Sequence, residues 1–467
     1  MIDYGILAPV ISAAEKWGQK TALIDAAGAI SFAEFLQRVR GCAATLEQQG
    51  IRAGQPVLVT TRPEIDVCAL IYALWSIGAL PVPLHPALKQ TQIEHIYTQF
   101  DRPLHLTASP TITNEAFTFC AADVHASALV IFTSGSTAAP KGVIFNQTGL
   151  LTATKAINSH IGVTADDRVL TVLPLSFSYG LLQLLTTFSS GSTLRFSREL
   201  LPGDVADEIR RERISGLAGV PYFWREFLRA EPAALPDLRW ITNAGGRLAP
   251  EHFQALTRLL PQTKIFSMYG STETLRSTIL PAGQLNGHEG SIGQAVVGAD
   301  IQVLAPDGRR CSTGEAGELV HCGPTLALGY WRDEALTAAQ FRTLPDGQRA
   351  YFSKDLVRAD HDGFLYFVGR ADELFKHRGF LLNPQNIEEF LLQLPGVTEA
   401  AVFGTPDDLL YAVVAPSTTS LAELQRACLT ALPAYMVPQR FLAIAQLPRT
   451  SSGKIARAQL CQKMTLS

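Results

Sequence analysis

The feature that most constrains this chain is a recurring transition, in which an apolar, strand-like run ends on small or functional residues and gives way to a helix-like stretch. QPVLVTTR (55–62) precedes CALIYALWSIG, and DRVLTVLPLS (167–176) leads into YGLLQLLTTF. ALVIFTSGS (128–136), GLAGV (216–220), RWITNAGG (239–246) and KIFSMYGSTE (264–273) repeat the strand ending. Strands with unbroken apolar runs are buried on both faces, and strands alternating with helices are joined by crossovers. The pattern therefore predicts a layered α/β domain with parallel pairing. Ligands of such sheets sit beyond the carboxyl ends of the strands, so these residues are expected to converge on one cleft.

From about Gly290 the texture changes. ADIQVLAPDGRRCSTGEAGELVHCG places the turn signals PDG and TGEAGE between short alternating runs, and HDG (361–363) with FLYFVGR continues the pattern, which predicts antiparallel strands. After Arg370 a further unit begins: NPQNIEEFLLQL and LAELQRACLTAL read as helices, EAAVFGT and LYAVVAP as strands. A chain of 467 residues exceeds one ordinary core. The expected division is a large domain, residues 1–371, combining layered α/β with a β-rich subdomain, and a small α+β domain, residues 372–467.

A net charge of -3 gives no electrostatic case for nucleic acid or an anionic membrane as partner. Val67 to Leu84, VCALIYALWSIGALPVPL, is long enough to suggest a membrane span, but Gly78, Pro81 and Pro83 break it into a helix through about Ile77 and a short strand. The N-terminus has an acid at position 3 and no basic region, unlike a signal peptide. The seven scattered cysteines form no CxxC or CxxH pair and, being odd in number, no disulfide framework. Reduced thiols in a cytoplasmic protein are expected.

Five segments carry candidate chemistry. Thr133-Ser134-Gly135-Ser136-Thr137-Ala138-Ala139-Pro140-Lys141 offers backbone N–H groups, hydroxyls and an ammonium to phosphate oxygens, although it is not a GxxxxGK[ST] loop. Tyr269-Gly270-Ser271-Thr272-Glu273 places a carboxylate at a strand end, where it can hold Mg²⁺ against a phosphate. Asp355, in YFSKD, can accept from both hydroxyls of a ribose. GRAD (369–372) with KHRGF (376–380), and Pro448-Arg449-Thr450-Ser451-Ser452-Gly453-Lys454, complete the set. Taken singly, each has a plain alternative: a polar loop, a solvated acid, a turn cap, an exposed lysine.

Together, in this order and spacing, they resemble the adenylate-forming superfamily of acyl- and aryl-CoA synthetases, peptide-synthetase adenylation domains and firefly luciferase. The likeness runs from ISFAEFLQRVRGCAATLEQQGIRAGQPVLV (30–59) to SSGKIARAQL. It implies ATP and Mg²⁺ as cofactors, an acyl-AMP intermediate and a small C-terminal domain that is mobile. The loop Thr133–Lys141, with Ser134, Gly135, Ser136 and Thr137, would hold the β- and γ-phosphates. Gly245 and Gly246 would pack on adenine and Tyr269 would cover its other face. Thr272 would touch the α-phosphate, Glu273 would carry the metal, and Asp355 and Arg370 would hold ribose. Asp372 matches the hinge, and Lys454 the lysine that bridges the substrate carboxylate and the α-phosphate. Such charges are what the chemistry needs, because a carboxylate must attack an anionic phosphorus.

The chain departs from the family's habits at Phe352-Ser353-Lys354, where Arg, Thr and Gly often precede the ribose aspartate, and at Ser267, where Asn is usual. Phe177, Ser178, Tyr222 and Ser271 are the expected acyl-pocket residues, with Leu275 and Arg276 as further candidates. Ser178 falls where relatives that activate α-amino acids carry an Asp, and an unpaired buried ammonium is costly. The reading is a ligase for an aryl or short acyl acid, with an amino-acid ligase as the alternative. No carrier domain follows Lys454, so the expected acceptor is separate: CoA or the phosphopantetheine of a carrier protein.

Overall fold

A computed structural model describes residues 3–101, 103–109, 117–133, 140–197, 199, 201–285, 287–371, 375–377, 380–405, 409–449, 455–457 and 459–461. Among them, Thr21–Ile24, Thr193–Phe196, Arg168–Thr171, Gly216–Gly219, Trp240–Asn243 and Lys264–Tyr269 lie side by side in that order, each pair parallel. Both faces of this sheet are covered, which is why its strands lack polar alternation. Leu170, Leu217, Ile241 and Ile265 pack on one side with Val205, Trp224, Phe227 and Leu256 of three helices. The opposite face meets the helices Gln147–Ile161 and Ser178–Ser190. The first of these is capped by Asn146, whose Oδ1 accepts from the Gly149 N–H at 2.8 Å.

The chain moves from Arg168–Thr171 to one neighbour, Thr193–Phe196, and then crosses to the other, Gly216–Gly219. That reversal opens a crevice at the carboxyl ends of the two inner strands. At the opposite, amino ends of the strands close packing needs glycine: a Cβ on Gly216 would lie 2.1 Å from the Trp240 ring.

The β-rich segment is a continuation of this sheet. Thr278–Leu280 pairs antiparallel with Lys264–Tyr269, and Ser291–Ala295, Leu365–Arg370, Arg349–Ala359, Ala316–Cys322 and Asp300–Leu304 follow, all antiparallel. The apolar run Val67–Leu84 divides into the helix Ile65–Ser76 and the buried strand Leu80–Leu84. Among the described residues no helix is long and apolar enough to cross a membrane.

One strand pairs otherwise than expected. Ser127–Thr133 pairs antiparallel with Lys141–Asn146, outside the parallel sheet. Only residues 134–140 separate the two, and a parallel crossover needs about a dozen or more. After residue 383, the helices Pro384–Leu392 and Leu421–Ala431 cover the strands Glu399–Gly404, Leu410–Ala415 and Arg440–Ala443 around their own core, including Ile387, Leu391, Val402, Val414 and Cys428.

Candidate active site

The strand Lys264–Tyr269 delivers Tyr269 to the cleft, and the antiparallel pair Leu365–Arg370 and Arg349–Ala359, beyond two intervening strands of the same sheet, delivers Asp355 opposite Arg370. The Tyr269 hydroxyl donates to Asp355 Oδ2, and Arg370 Nη1 donates to Oδ1 at 2.8 Å. The Asp355 N–H donates to Ser353 Oγ at 3.0 Å. The Tyr269 phenol is held well above its ordinary pKa, first by burial and then by the Asp355 charge, so it remains a donor. Lys354, immediately before the aspartate, adopts φ 61°. This is the left-handed region, and the resemblance had marked the position as one where glycine is common. Gly245 and Gly246 follow the strand adjacent to Tyr269's. Gly245 has φ 81°, and Asn243 Nδ2 donates to the Gly246 carbonyl at 3.1 Å.

Thr272 and Glu273 occupy a short 3₁₀ turn, Thr272–Thr274. The Tyr330 hydroxyl donates to Glu273 Oε1 at 2.7 Å, and the Ala327 N–H donates to the Glu273 carbonyl at 2.8 Å. Burial and the Glu273 charge raise the Tyr330 phenol well above its usual range. Tyr330 is paired with Val143, and the Trp331 N–H donates to the Gly142 carbonyl at 2.7 Å. Glu273 is thereby tied to the strand that begins at Lys141. Lys141 faces Thr133 across the hairpin. Ser134, Gly135, Ser136 and Thr137 lie outside the described residues, as do Asp372 and Lys454.

Glu273 Oε2 accepts no hydrogen bond from a described residue, and no cluster of three or more His, Cys, Asp or Glu forms a closed metal cage among them. That donor set suits Mg²⁺, which takes one or two carboxylates and completes its shell with phosphate and water.

A pocket lies between the parallel sheet and the two helices on its face, lined among others by Ile157, Tyr179, Gln183, Trp240, Thr242 and Arg276. The register explains its floor: Thr242 is opposite Ala218, and the odd–even alternation of the strands turns both toward the helices. Of the expected acyl-pocket residues, Phe177, Ser178, Tyr222 and Ser271 are not among those that line this pocket, whereas Arg276 is. Ser178 is the first residue of its helix, and Phe177 stacks on His85 at 5.7 Å in a second cleft that reaches Thr133 and Pro140. The Ser271 N–H donates to Thr274 Oγ1 at 3.2 Å.

Tyr222 is 39% exposed and serves a different contact. Its ring lies under two guanidinium groups, Arg449 at 4.5 Å and Arg225 at 5.2 Å. Arg225 Nη1 donates to the Thr398 carbonyl at 2.8 Å, and its Nη2 is 3.7 Å from Glu399. Arg449 ion-pairs with Glu399, which also accepts from the Leu447 N–H at 2.9 Å. Arg247 and Glu389 form another pair between the two parts of the chain. Arg449 and Ile455, the described residues flanking 450–454, face each other as an antiparallel bridge. Tyr330, Arg225 and Glu399 were not singled out in the sequence, because nothing local distinguishes a tyrosine or arginine that will meet a partner far along the chain.

Comparisons with known proteins agree with this geometry. The model of the AMP-binding enzyme family matches residues 11–118 and 108–331, and that of the AMP-binding enzyme C-terminal domain matches residues 386–454. Bacitracin synthase 3 from Bacillus licheniformis is 28% identical over 480 residues, 96% of this chain but 8% of that protein. This chain therefore spans only a small part of the long synthases it matches. The L-proline--[L-prolyl-carrier protein] ligase of Pseudomonas fluorescens is 27% identical over 96% of this chain and 97% of its own length. In fold, the chain resembles ATP-bound MatB from Rhodopseudomonas palustris, with TM-score 0.89 and 22% identity over 99% of both chains. It likewise resembles the AMP complex of the O-succinylbenzoate Coenzyme A synthetase MenE from Bacillus subtilis, with TM-score 0.87 and 23% identity over 98% of both.

Proposed function

The chain belongs to the AMP-binding enzyme family, the adenylate-forming enzymes, and on that footing we propose that it is an ATP- and Mg²⁺-dependent carboxylic acid ligase. It forms an acyl-AMP and then passes the acyl group to a thiol, that of CoA or of the phosphopantetheine of a carrier protein. The observation that carries this reading is the convergence at the carboxyl ends of the parallel strands. Asp355 is clamped by Tyr269 and Arg370, and Glu273 is tied through Tyr330 to the phosphate-loop strand.

In this reading Asp355 and Arg370 hold ribose, and Gly245, Gly246 and Tyr269 enclose adenine. Thr272 touches the α-phosphate. Mg²⁺ on Glu273 supplies positive charge to the phosphates. Thr133 and Lys141 fix the ends of the loop that cradles them. Lys454 neutralises the attacking carboxylate, and the small domain turns about Asp372 to exchange one half-reaction for the other. The substrate is an aryl or short acyl acid. The kinship with peptide synthetases favours amino-acid activation as the second reading, and Ser178, which offers no anion to an α-ammonium, weighs against it. A cytoplasmic location fits the seven unbridged cysteines.

The test is the nucleotide product. With a suitable acid, ATP and Mg²⁺ the protein releases pyrophosphate, and with an acceptor thiol added it releases AMP. ADP and phosphate as main products overturn the reading. A proteinogenic amino acid giving the highest pyrophosphate exchange in a broad acid screen decides for the second one.

A further inference from the structure

The pocket behind the crevice holds a positive charge that no carboxylate among the described residues balances. Arg276 is 3% exposed, yet no described carboxylate lies within ion-pair distance and its Nε has no hydrogen-bond partner. Its guanidinium sits 4.8 Å over the Tyr179 ring, and Tyr179 is itself anchored by a 2.5 Å hydrogen bond to Thr242 Oγ1. Desolvation works against its charge and lowers its pKa. The backbone that points it inward is strained. Leu275 has φ 58° and ψ -51°, and the Arg276 N–H donates to the Thr274 carbonyl at 2.6 Å. This is a γ-turn of the rare hand, a conformation that persists where the surroundings require it.

Two further polar atoms of lining residues lack partners: the indole N–H of Trp240 and the amide oxygen of Gln183. A buried guanidinium without acceptors is costly, and a planar, two-pronged donor is matched by a carboxylate. We propose that this pocket takes the far end of a small acid bearing a second carboxylate, with Arg276 as its counter-charge. The inference rests on the ligase reading, in which the first carboxylate is activated at the crevice. The empty space, open solvent at the mouth included, is about 400 Å³, and so modest a space favours a small acid over a fatty chain.

The experiment is pyrophosphate exchange with matched pairs: succinate and butyrate, glutarate and valerate, isophthalate and 3-methylbenzoate. The wild type is compared with Arg276→Met, and thermal unfolding of both is followed with and without ATP and each acid. A diacid is expected to exceed its monoacid partner by on the order of 10² in kcat/KM for the wild type, because a site built around a polar group rejects the analogue lacking it. Arg276→Met is expected to reverse that ranking. Without ligand the variant melts higher than the wild type, since an unpaired buried charge has gone, and diacids stabilise only the wild type. Monoacids equalling diacids in the wild type, with AMP and pyrophosphate still formed, overturns the inference and leaves the ligase reading standing. Equal stabilisation of both proteins by a diacid also overturns it. ADP as the product removes the ligase reading and this inference with it.

Discussion

Arg225 offers a direct test of whether the docking between the two parts of the chain serves adenylate formation. Its side chain is 18% exposed; it donates to the Thr398 carbonyl at 2.8 Å and lies 5.2 Å over Tyr222. A hydrogen bond from a charged donor contributes about 1.5–3 kcal/mol, and a cation–π contact at a partly exposed site about 0.5–1 kcal/mol. The contributions are not additive, and the 3.7 Å approach to Glu399 adds little. Arg225→Ala should therefore weaken docking by about 2 kcal/mol, on the order of 30-fold in the docked-to-undocked ratio. Because Arg449, at the base of the 450–454 segment, rests on the same Tyr222 ring, adenylation should slow by up to about that factor. Transfer from chemically supplied acyl-AMP to a thiol should not slow, since in the proposed reading it takes place with the small domain turned away. The two half-reactions are measured separately, by pyrophosphate exchange and by single-turnover thioester formation. An equal fall in both would mean that Arg225 merely supports the fold. Unchanged exchange would mean that docking is not held here.

Three other outcomes are expected. His321, buried between Ser277 Oγ at 3.0 Å and Thr325 Oγ1 at 3.1 Å, has its pKa lowered to about 4 by desolvation. The unfolded chain protonates near its unperturbed value of about 6.5, so His321 adds stability above that pH and loses it as pH falls toward 4. Between pH 7.5 and pH 5.0 the loss is about 2 kcal/mol. Denaturant unfolding at the two pH values should show a smaller drop for His321→Gln, and an identical drop would refute the assignment. Lys454→Ala should lower pyrophosphate exchange by on the order of 10²–10³ with little change in melting temperature, and near wild-type exchange would leave Lys454 a solvated lysine. Lys354→Gly should relieve the left-handed backbone at φ 61° and stabilise the protein by about 0.5–1 kcal/mol, net of the added freedom of the unfolded chain; a lower melting temperature would refute this.

Much of the architecture was legible in the sequence for local reasons. Runs such as RWITNAGG and KIFSMYGSTE state both their strand character and the place where the chain must turn, and turn chemistry announced the antiparallel segment. The one mispaired strand, Ser127–Thr133, failed on connection length, which was also local and readable. The candidate nucleotide-binding set was proposed from its order and spacing. Its geometry, Asp355 between Tyr269 and Arg370, only assembles when strands 86 residues apart share one sheet.

Ser178, an expected acyl-pocket residue, does not line the cavity behind the crevice, because consecutive helix residues point about 100° apart. Tyr179 and Gln183, not Ser178, are the residues that line the cavity, and the sheet register supplies Trp240 and Thr242 beneath them. The sequence by itself determined the order of elements, the glycine and hydroxyl loops at strand ends, and the carboxylates and lysines available for phosphate chemistry, because each is written in a few adjacent residues. Only the tertiary structure decided that Tyr222 lies under Arg225 and Arg449, and that Arg276 is buried with no carboxylate of the described residues within ion-pair distance. Having no counter-ion is a property of every side chain packed around a residue, and no stretch of sequence contains it.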